Sequence, residues 1–409
     1  MNRCAITGIG IVTPIGCGQG AVQRALLAGE SAFGVMQRAG RQKGSSAFLG
    51  AEIASLDESE FVSRTVPRSA SWSSRVTIAV VSEAWRDAQL WDLDPQRIGL
   101  IIGGSNLQQR EIVATHDAFA SRFEYLRPVY AQMFMDTDVC SICTEQFGIR
   151  GLACTVGGAS ASGHLAIVQA IQAVNSRQVD VCIAVGALMD ISYWECQGFR
   201  ALGAMGSDRF AKDPGYACRP FDRWQDGFIY GENCGAVVIE RVGKVRRKPY
   251  AVVRGWSYLQ GGVRTPQPSL DCEVSAIKAA LKMAKLTPSE IDYINPHGTG
   301  SPLGDRIELR ALKECGLGGA YINATKSVVG HGLTAAGTVE VVATLLQMSA
   351  GHLHPSRNLV EPIDDSFAWI TAHSIEHRTR NALNLSFGFG GISSAICLSN
   401  WNDSGSLSC

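Results

Sequence analysis

Val156-Gly157-Gly158-Ala159-Ser160-Ala161-Ser162-Gly163-His164 is the stretch on which the reading of this chain turns. Two glycines precede Ser160, one follows three residues later, and small residues fill most other places. Such a run suits a tight turn where the backbone comes close to another part of the molecule and one short side chain stands exposed. Immediately after it, Leu165, Ile167, Val168, Ala170, Ile171, Ala173 and Val174 leave almost no polar face up to Asn175, which predicts a buried helix. The run Val179-Asp180-Val181-Cys182-Ile183-Ala184-Val185-Gly186 then reads as a central parallel strand. A hydroxyl at the head of a buried helix sits at the positive end of the helix dipole, among unpaired N–H groups. Ser160 is therefore either a reactive residue at an oxyanion site or simply a small N-cap.

At 409 residues the chain is long enough for two domains or one large two-lobed fold. Its 46% apolar content and 44 glycines fit an α/β protein rich in tight turns. Lys plus Arg and Asp plus Glu balance at 37 each, which leaves no global field to recruit nucleic acid or an anionic membrane. The basic run from Arg241 to Arg247 reads as a solvated loop, with a contact for an acidic partner as the lesser alternative. Met1 leads directly into the strand-like Ala5–Val12 with no secretory pattern, and no apolar run reaches the roughly 20 residues that span a bilayer. Thirteen scattered cysteines, an odd number, favour reduced thiols in a cytoplasmic protein over a disulfide framework. Cys140 and Cys143 lack a second pair or a histidine at ligand spacing, so they read as neighbours on a buried helix and no metal site is expected.

Read in order, the two halves echo each other. Ser74–Leu90 is helical, passes through Asp94-Pro95 and reaches the buried strand Ile98–Gly104. Ser275–Leu286 is helical, passes through Thr287-Pro288 and reaches the strand Ile291–Ile294. A strand over Asn323–Thr325, an apolar helix over Thr338–Met348 and a glycine-rich hairpin from Asn384 to Leu398 complete the second half. The segment Asn106–Gly151 is mostly helical, and its Phe119, Phe123, Tyr125, Tyr130 and Phe134 either line a tunnel or pack in the ordinary way. The repeat implies duplicated α/β halves, 1–245 and 250–409, stacked as five layers around a shared buried helix.

Three glycine-rich turns at strand ends carry chemistry: Asn295-Pro296-His297-Gly298-Thr299-Gly300, Thr325-Lys326-Ser327-Val328-Val329-Gly330-His331-Gly332 and Phe387-Gly388-Phe389-Gly390-Gly391. Strand ends are where α/β folds hold ligands. Two histidines in matched turns, opposite a serine at a helix head, favour function over packing. Two neutral imidazoles presenting Nε2–H to one oxygen would stabilise a thioester enolate. Lys326 would set the charge state of His331 or a nearby carboxylate, or pair with Glu340.

With these pieces assembled, nearly the whole chain resembles a β-ketoacyl synthase of the thiolase fold. The resemblance rests on Ile6-Thr7-Gly8-Ile9-Gly10, Arg219-Pro220-Phe221-Asp222, Gly227-Phe228 with Gly231-Glu232, and His297-Gly298-Thr299 with Pro302-Leu303-Gly304-Asp305. Thr325-Lys326-Ser327 with Gly330-His331, Ala335-Ala336-Gly337 and Ser386-Phe387-Gly388-Phe389-Gly390-Gly391 extend it. It implies a five-layer αβαβα fold, His297 and His331 as catalytic histidines with Lys326 supporting them, and substrate contacts at Thr299, Phe389 and Gly390. Phe389 corresponds to a gate of the acyl pocket and Thr299 to a hydroxyl that meets the pantetheine arm. The resemblance also implies an acyl carrier protein as partner, no cofactor beyond the phosphopantetheine that the carrier bears, and a homodimer or paralogue heterodimer pairing near Leu152–Val156.

The departure is at the nucleophile. The family has cysteine where the gap-free match puts Ser160, and Cys154 lies six residues too early. Where the family commonly has Thr-Asn after the last glycine pair, this chain has Ile392-Ser393. A serine hydroxyl is a weak nucleophile without an adjacent base, whereas malonyl decarboxylation needs only donors for the enolate oxygen. The expected activity is therefore decarboxylation of malonyl carrier protein to acetyl carrier protein in polyketide synthesis, like family members with Gln or Ser at this place. Condensation or acyl transfer through Ser160, a non-catalytic chain-length-factor-like subunit, and a cysteine enzyme disabled by substitution are the alternatives.

Overall fold

The computed structural model describes residues 3–57, 66 and 68–401. Its large sheet is built from β1 (Cys4–Thr13), β2 (Ile98–Gly103), β3 (Ala153–Val156), β4 (Val181–Gly186), β5 (Cys234–Arg241), β6 (Ala251–Gln260), β7 (Tyr293–Asn295), β8 (Tyr321–Ile322), β9 (Ala368–Trp369), β10 (Asn381–Gly388) and β11 (Ile392–Asn400). They lie in the order β9-β8-β7-β10-β11-β6-β1-β5-β4-β2-β3, and the short strand Gly16–Cys17 pairs with β1. The duplication is visible in the strand directions. β3, β2 and β4 are parallel, and β5 and β1 close that half antiparallel. β9, β8, β7 and β10 are parallel, and β11 and β6 close the other half antiparallel. The halves are not fully separate sheets, because Cys4–Ile6 pairs with Ala251–Val253. β1 and β6 are the inner edges of their halves, and pairing their first residues satisfies backbone groups that burial would otherwise orphan.

Six helices supply the other layers. α1 (Trp72–Ala88) and α2 (Asp138–Phe147) cover the outer face of the first half, as α4 (Leu270–Ala284) and α5 (Pro302–Glu314) cover the second. α3 (Ser162–Asn175) and α6 (Ala336–Ala350) lie between the halves and touch strands of both. This is the expected αβαβα sandwich. Ile167, Ile171 and Val174 of α3 join Val339, Val342 and Leu345 of α6 in one buried cluster. The helices approach closely because both carry glycine at the crossing. A Cβ on Gly163 would lie 2.6 Å from the Thr338 nitrogen, and one on Gly337 would lie 3.0 Å from the His164 nitrogen. The window Leu333–Ala350 is apolar enough to cross a membrane by composition, yet 89% of it is buried here in the middle layer.

Several expectations need correction. The second-half strand ends at Ile322, and Asn323–Thr325 already belong to the turn, where the Asn323 side chain binds Gln347 and the His354 carbonyl. Phe123, Tyr125 and Phe134 lie mostly at the surface. They are 78%, 70% and 51% exposed, and the helix Gln109–Phe119 before them buries no residue. The basic run is a solvated loop, as read, with Lys244 and Arg246 exposed, and Arg241 pairs with Asp180, Arg246 with Glu240 and Arg247 with Asp87 along it. Cys140 and Cys143 do share a buried helix face on α2. Part of the polar, glycine-bearing segment that runs up to about Ser71, residues 58–65 and 67, lies outside the described residues.

Candidate active site

Ser160 sits in a single 3-10 turn, Ala159–Ala161, that feeds α3. Ala159 holds φ at +48° with no glycine to ease it, so the turn is strained. Ser162 makes the local bonds, accepting from the Gly158 N–H at 2.9 Å and donating to the Ala159 carbonyl at 2.7 Å. Ser160 makes no capping bond, which decides against the N-cap reading, and its Oγ lies 3.1 Å from Nε2 of His331. The β10–β11 hairpin clamps this turn. Ser386 Oγ donates to the Ser160 carbonyl at 3.1 Å, and a Cβ on Gly388 would come within 2.5 Å of the Gly158 oxygen.

His297 follows β7, and His331 follows the short helix Lys326–Val329. Their rings are 5.5 Å apart and nearly perpendicular at 84°. Phe228 stands edge-on to His331 at 5.2 Å, and Phe387 flanks His297 at 5.6 Å. The Leu333 N–H donates to Nδ1 of His331 at 3.3 Å, and Leu333 takes a left-handed φ of +50°. An acceptor Nδ1 assigns the proton of the neutral ring to Nε2, the nitrogen beside Ser160. The Lys326 ammonium plays the matching part at His297. It donates to the His297 carbonyl at 2.5 Å, lies 3.5 Å from Nδ1, and pairs with the buried Glu340. Of the roles open to Lys326, holding His297 and pairing with Glu340 are the ones made by direct contact.

Burial, reinforced by the Lys326 charge, pushes both His297 and His331 well below the usual imidazole range. Both rings are thereby held toward the neutral form, and the donors at Nδ1 favour the tautomer with its proton on Nε2. Two acids on α5 hold the His297 loop from beneath. Glu308 accepts the His297 N–H at 2.6 Å and the Gly298 N–H at 2.8 Å, while Asp305 accepts from Thr299, Gly300 and Phe221. Desolvation raises Glu308 to about 8 and Asp305 to about 7, against the pull of these N–H bonds.

A cavity opens beside Ser160, His297 and His331, with Phe199, Phe228 and Phe387 on its walls. Phe389 is 40% exposed beside it and faces Phe199 at 6.4 Å. Thr299 lines the cavity, and its Oγ1 accepts the Ser301 N–H. Gly390 does not line it. At φ +87° it turns the hairpin, its N–H engaged by Thr265 and its carbonyl by Gln260. Cys154 lies on the edge strand β3 and joins neither ring. Two residues escaped the sequence reading. Glu308 had a faint signal, three places after Asp305 on one helix. Glu273 had none, because an acid in the first turn of α4 reads as a solvated dipole partner.

A strained helix-head turn facing two neutral imidazoles, inside a duplicated αβαβα sandwich, defines a thioester-processing site of the condensing-enzyme class. The chain belongs to the β-ketoacyl synthase family: residues 1–244 match the model for the β-ketoacyl synthase N-terminal domain and residues 250–360 that for the C-terminal domain. It is 55% identical to the polyketide biosynthesis malonyl-ACP decarboxylase PksF of Bacillus subtilis, over 98% of each chain. It is 30% identical to 3-oxoacyl-[acyl-carrier-protein] synthase 1 of Escherichia coli K12, over 98% of this chain and all of that one. Among solved structures, the ishigamide ketosynthase/chain length factor superposes with a TM-score of 0.89 at 23% identity, covering 98% of this chain and 99% of that one. A β-ketoacyl synthase from Burkholderia phymatum superposes at 0.85 and 25% identity, covering 98% and 100%.

Proposed function

We propose that this chain decarboxylates malonyl-loaded acyl carrier protein to the acetyl form, as the name of its 55% identical relative states for that protein, and does so in polyketide synthesis. The observation that carries the reading is the pairing of a serine at the nucleophile place with two neutral imidazoles that each present an Nε2–H toward one cavity. The malonyl thioester oxygen lies between the two donors. The bond from C2 to the carboxylate breaks, carbon dioxide leaves, and its electron pair becomes an enolate whose oxygen the imidazoles hold. A proton added at C2 yields acetyl. No covalent bond to Ser160 is needed. Acyl transfer through Ser160 would ask Nε2 of His331 to take a proton, and the Leu333 N–H on Nδ1 supports the tautomer in which Nε2 already carries one. Lys326 orients the His297 loop, Thr299 meets the pantetheine arm, and Phe389 and Gly390 shape the mouth on their hairpin. The carrier's phosphopantetheine supplies the only prosthetic group, and the enzyme works in the cytoplasm as a homodimer. Incubation with malonyl carrier protein tests the reading by intact mass: acetyl carrier is expected, whereas unchanged or condensed carrier overturns it.

A further inference from the structure

The decarboxylation proposed above ends with a proton delivered to C2, and a condensing enzyme has no such step, because its enolate attacks an acyl group instead. An acid must therefore be available in the cavity. Three carboxyl side chains line it: Asp305, Glu308 and Glu273. The first two are occupied, since both oxygens of Glu308 and both of Asp305 accept backbone N–H groups of the 297–300 loop or of Phe221. Glu273 is different. It projects from the first turn of α4, is only 2% exposed, and its Oε2 is buried with no hydrogen-bond partner. A buried carboxylate without a donor is costly, so such a group persists as the neutral acid. Desolvation and the nearby Glu308 charge both raise it well above the usual carboxyl range. The imidazoles are committed to the enolate oxygen, which leaves Glu273 as the cavity acid with a free proton.

We infer that Glu273 is the proton donor that converts the enolate to the acetyl group. The Glu273 O–H bond breaks as a C–H bond forms at C2, the enolate pair becomes that bond, and the carboxylate regains a proton from water at the cavity mouth. This rests on the decarboxylase reading. A single-turnover and a steady-state experiment with malonyl carrier protein labelled in its free carboxyl separate the two. In Glu273→Gln, one equivalent of carbon dioxide is released at close to the native rate, and steady-state acetyl formation then falls by about 10²-fold, the usual share of a general acid. Glu273→Ala behaves alike and recovers turnover on addition of formate or acetate, which a purely structural role would not produce. Loss of the first burst together with turnover places Glu273 before carbon–carbon cleavage and overturns the inference, as does unchanged turnover or absence of rescue. If the native enzyme releases no carbon dioxide, the decarboxylase reading itself falls and takes this step with it.

Discussion

Deleting the imidazole of His331 is the perturbation that bears most directly on the mechanism. His331 is 3% exposed and lines the cavity, and on the proposed scheme its Nε2–H is one of two donors to the developing enolate oxygen. Removing one preorganised oxyanion donor costs roughly 2.7–4 kcal/mol, or about 10²–10³ in rate, because the donor acts in a water-excluded site. His331→Ala should lower acetyl formation by that factor. The same change orphans the Leu333 N–H and opens a gap against Phe228, a stability cost of about 1–3 kcal/mol for the unpaired buried group. His331→Gln, which keeps a donor, should therefore recover part of the rate as well as the fold. His297→Ala should cost a similar factor, and the double variant less than the product of the two, since both rings serve one oxygen. Ser160→Ala removes only the 3.1 Å contact to Nε2 of His331, and should keep turnover within about tenfold of native on the non-covalent scheme. Intact-mass kinetics on malonyl carrier protein would follow all five. The scheme is refuted if Ser160→Ala abolishes turnover, or if His331→Ala retains more than a tenth of it.

Other consequences follow from the same contacts. Because burial and the Lys326 charge hold both His297 and His331 well below 6.5, the pH profile of acetyl formation should show no limb at 6.5. On the acid side, activity should be lost only as pH falls into the depressed range, where protonation at Nδ1 breaks the bonds from Leu333 and Lys326. A bell with an acid limb centred on 6.5 would contradict this. Lys326→Met leaves Glu340 buried without its cation and should destabilise the protein by about 3–5 kcal/mol in denaturant unfolding, with Glu340→Gln in the same chain restoring part of the loss. Gly163→Ala drives a Cβ to 2.6 Å from the Thr338 nitrogen and should cost about 1–3 kcal/mol by thermal unfolding, with a larger loss of activity as the Ser160 turn shifts. A variant as stable as native would mean that the α3–α6 crossing has slack.

What the sequence made readable, and what it hid, divides along a physical line. The small-residue run at 156–164 and the faceless helix after it are legible because close backbone approach and full burial leave strong compositional marks, here the Gly163–Thr338 and Gly337–His164 crossings. His297 and His331 are legible because glycines fix the turns that present them. Aromatics carry no such mark. Phe123, a tunnel candidate on paper, is 78% exposed, while Phe199, which no pattern singled out, walls the cavity. Buried acids are worse, since Glu273 and Glu308 sit on amphipathic helices where acids ordinarily face water. The basic run from Arg241 to Arg247 was legible as a solvated loop but its ion pairs were not, because the partners Asp180 and Asp87 are distant in sequence.

The grouping of Asp305, Glu308, Glu273 and Glu340 near two histidines has an energetic logic. Four desolvated carboxyls beside one buried ammonium are a poor way to stabilise a fold, and desolvation raises every one of them. Asp305 and Glu308 offset their cost by holding the His297 loop through backbone N–H bonds, and Glu340 offsets its own by holding Lys326. Glu273 has no hydrogen-bonded donor to Oε2 and so no local compensation. Replacing it by an apolar side chain of similar volume, as in Glu273→Met, should therefore raise the thermal midpoint while lowering acetyl formation by the same factor of about 10². The sign of its pH dependence follows from the raised folded value. Stability from the neutral acid is full below the ordinary carboxyl value of 4.5 and is lost as pH rises through the raised one, so the gain from Glu273→Met should widen toward alkaline pH. A variant that is less stable than native across that range would show that Glu273 is held by contacts that favour it, and would remove the reason to regard it as an acid kept for its proton.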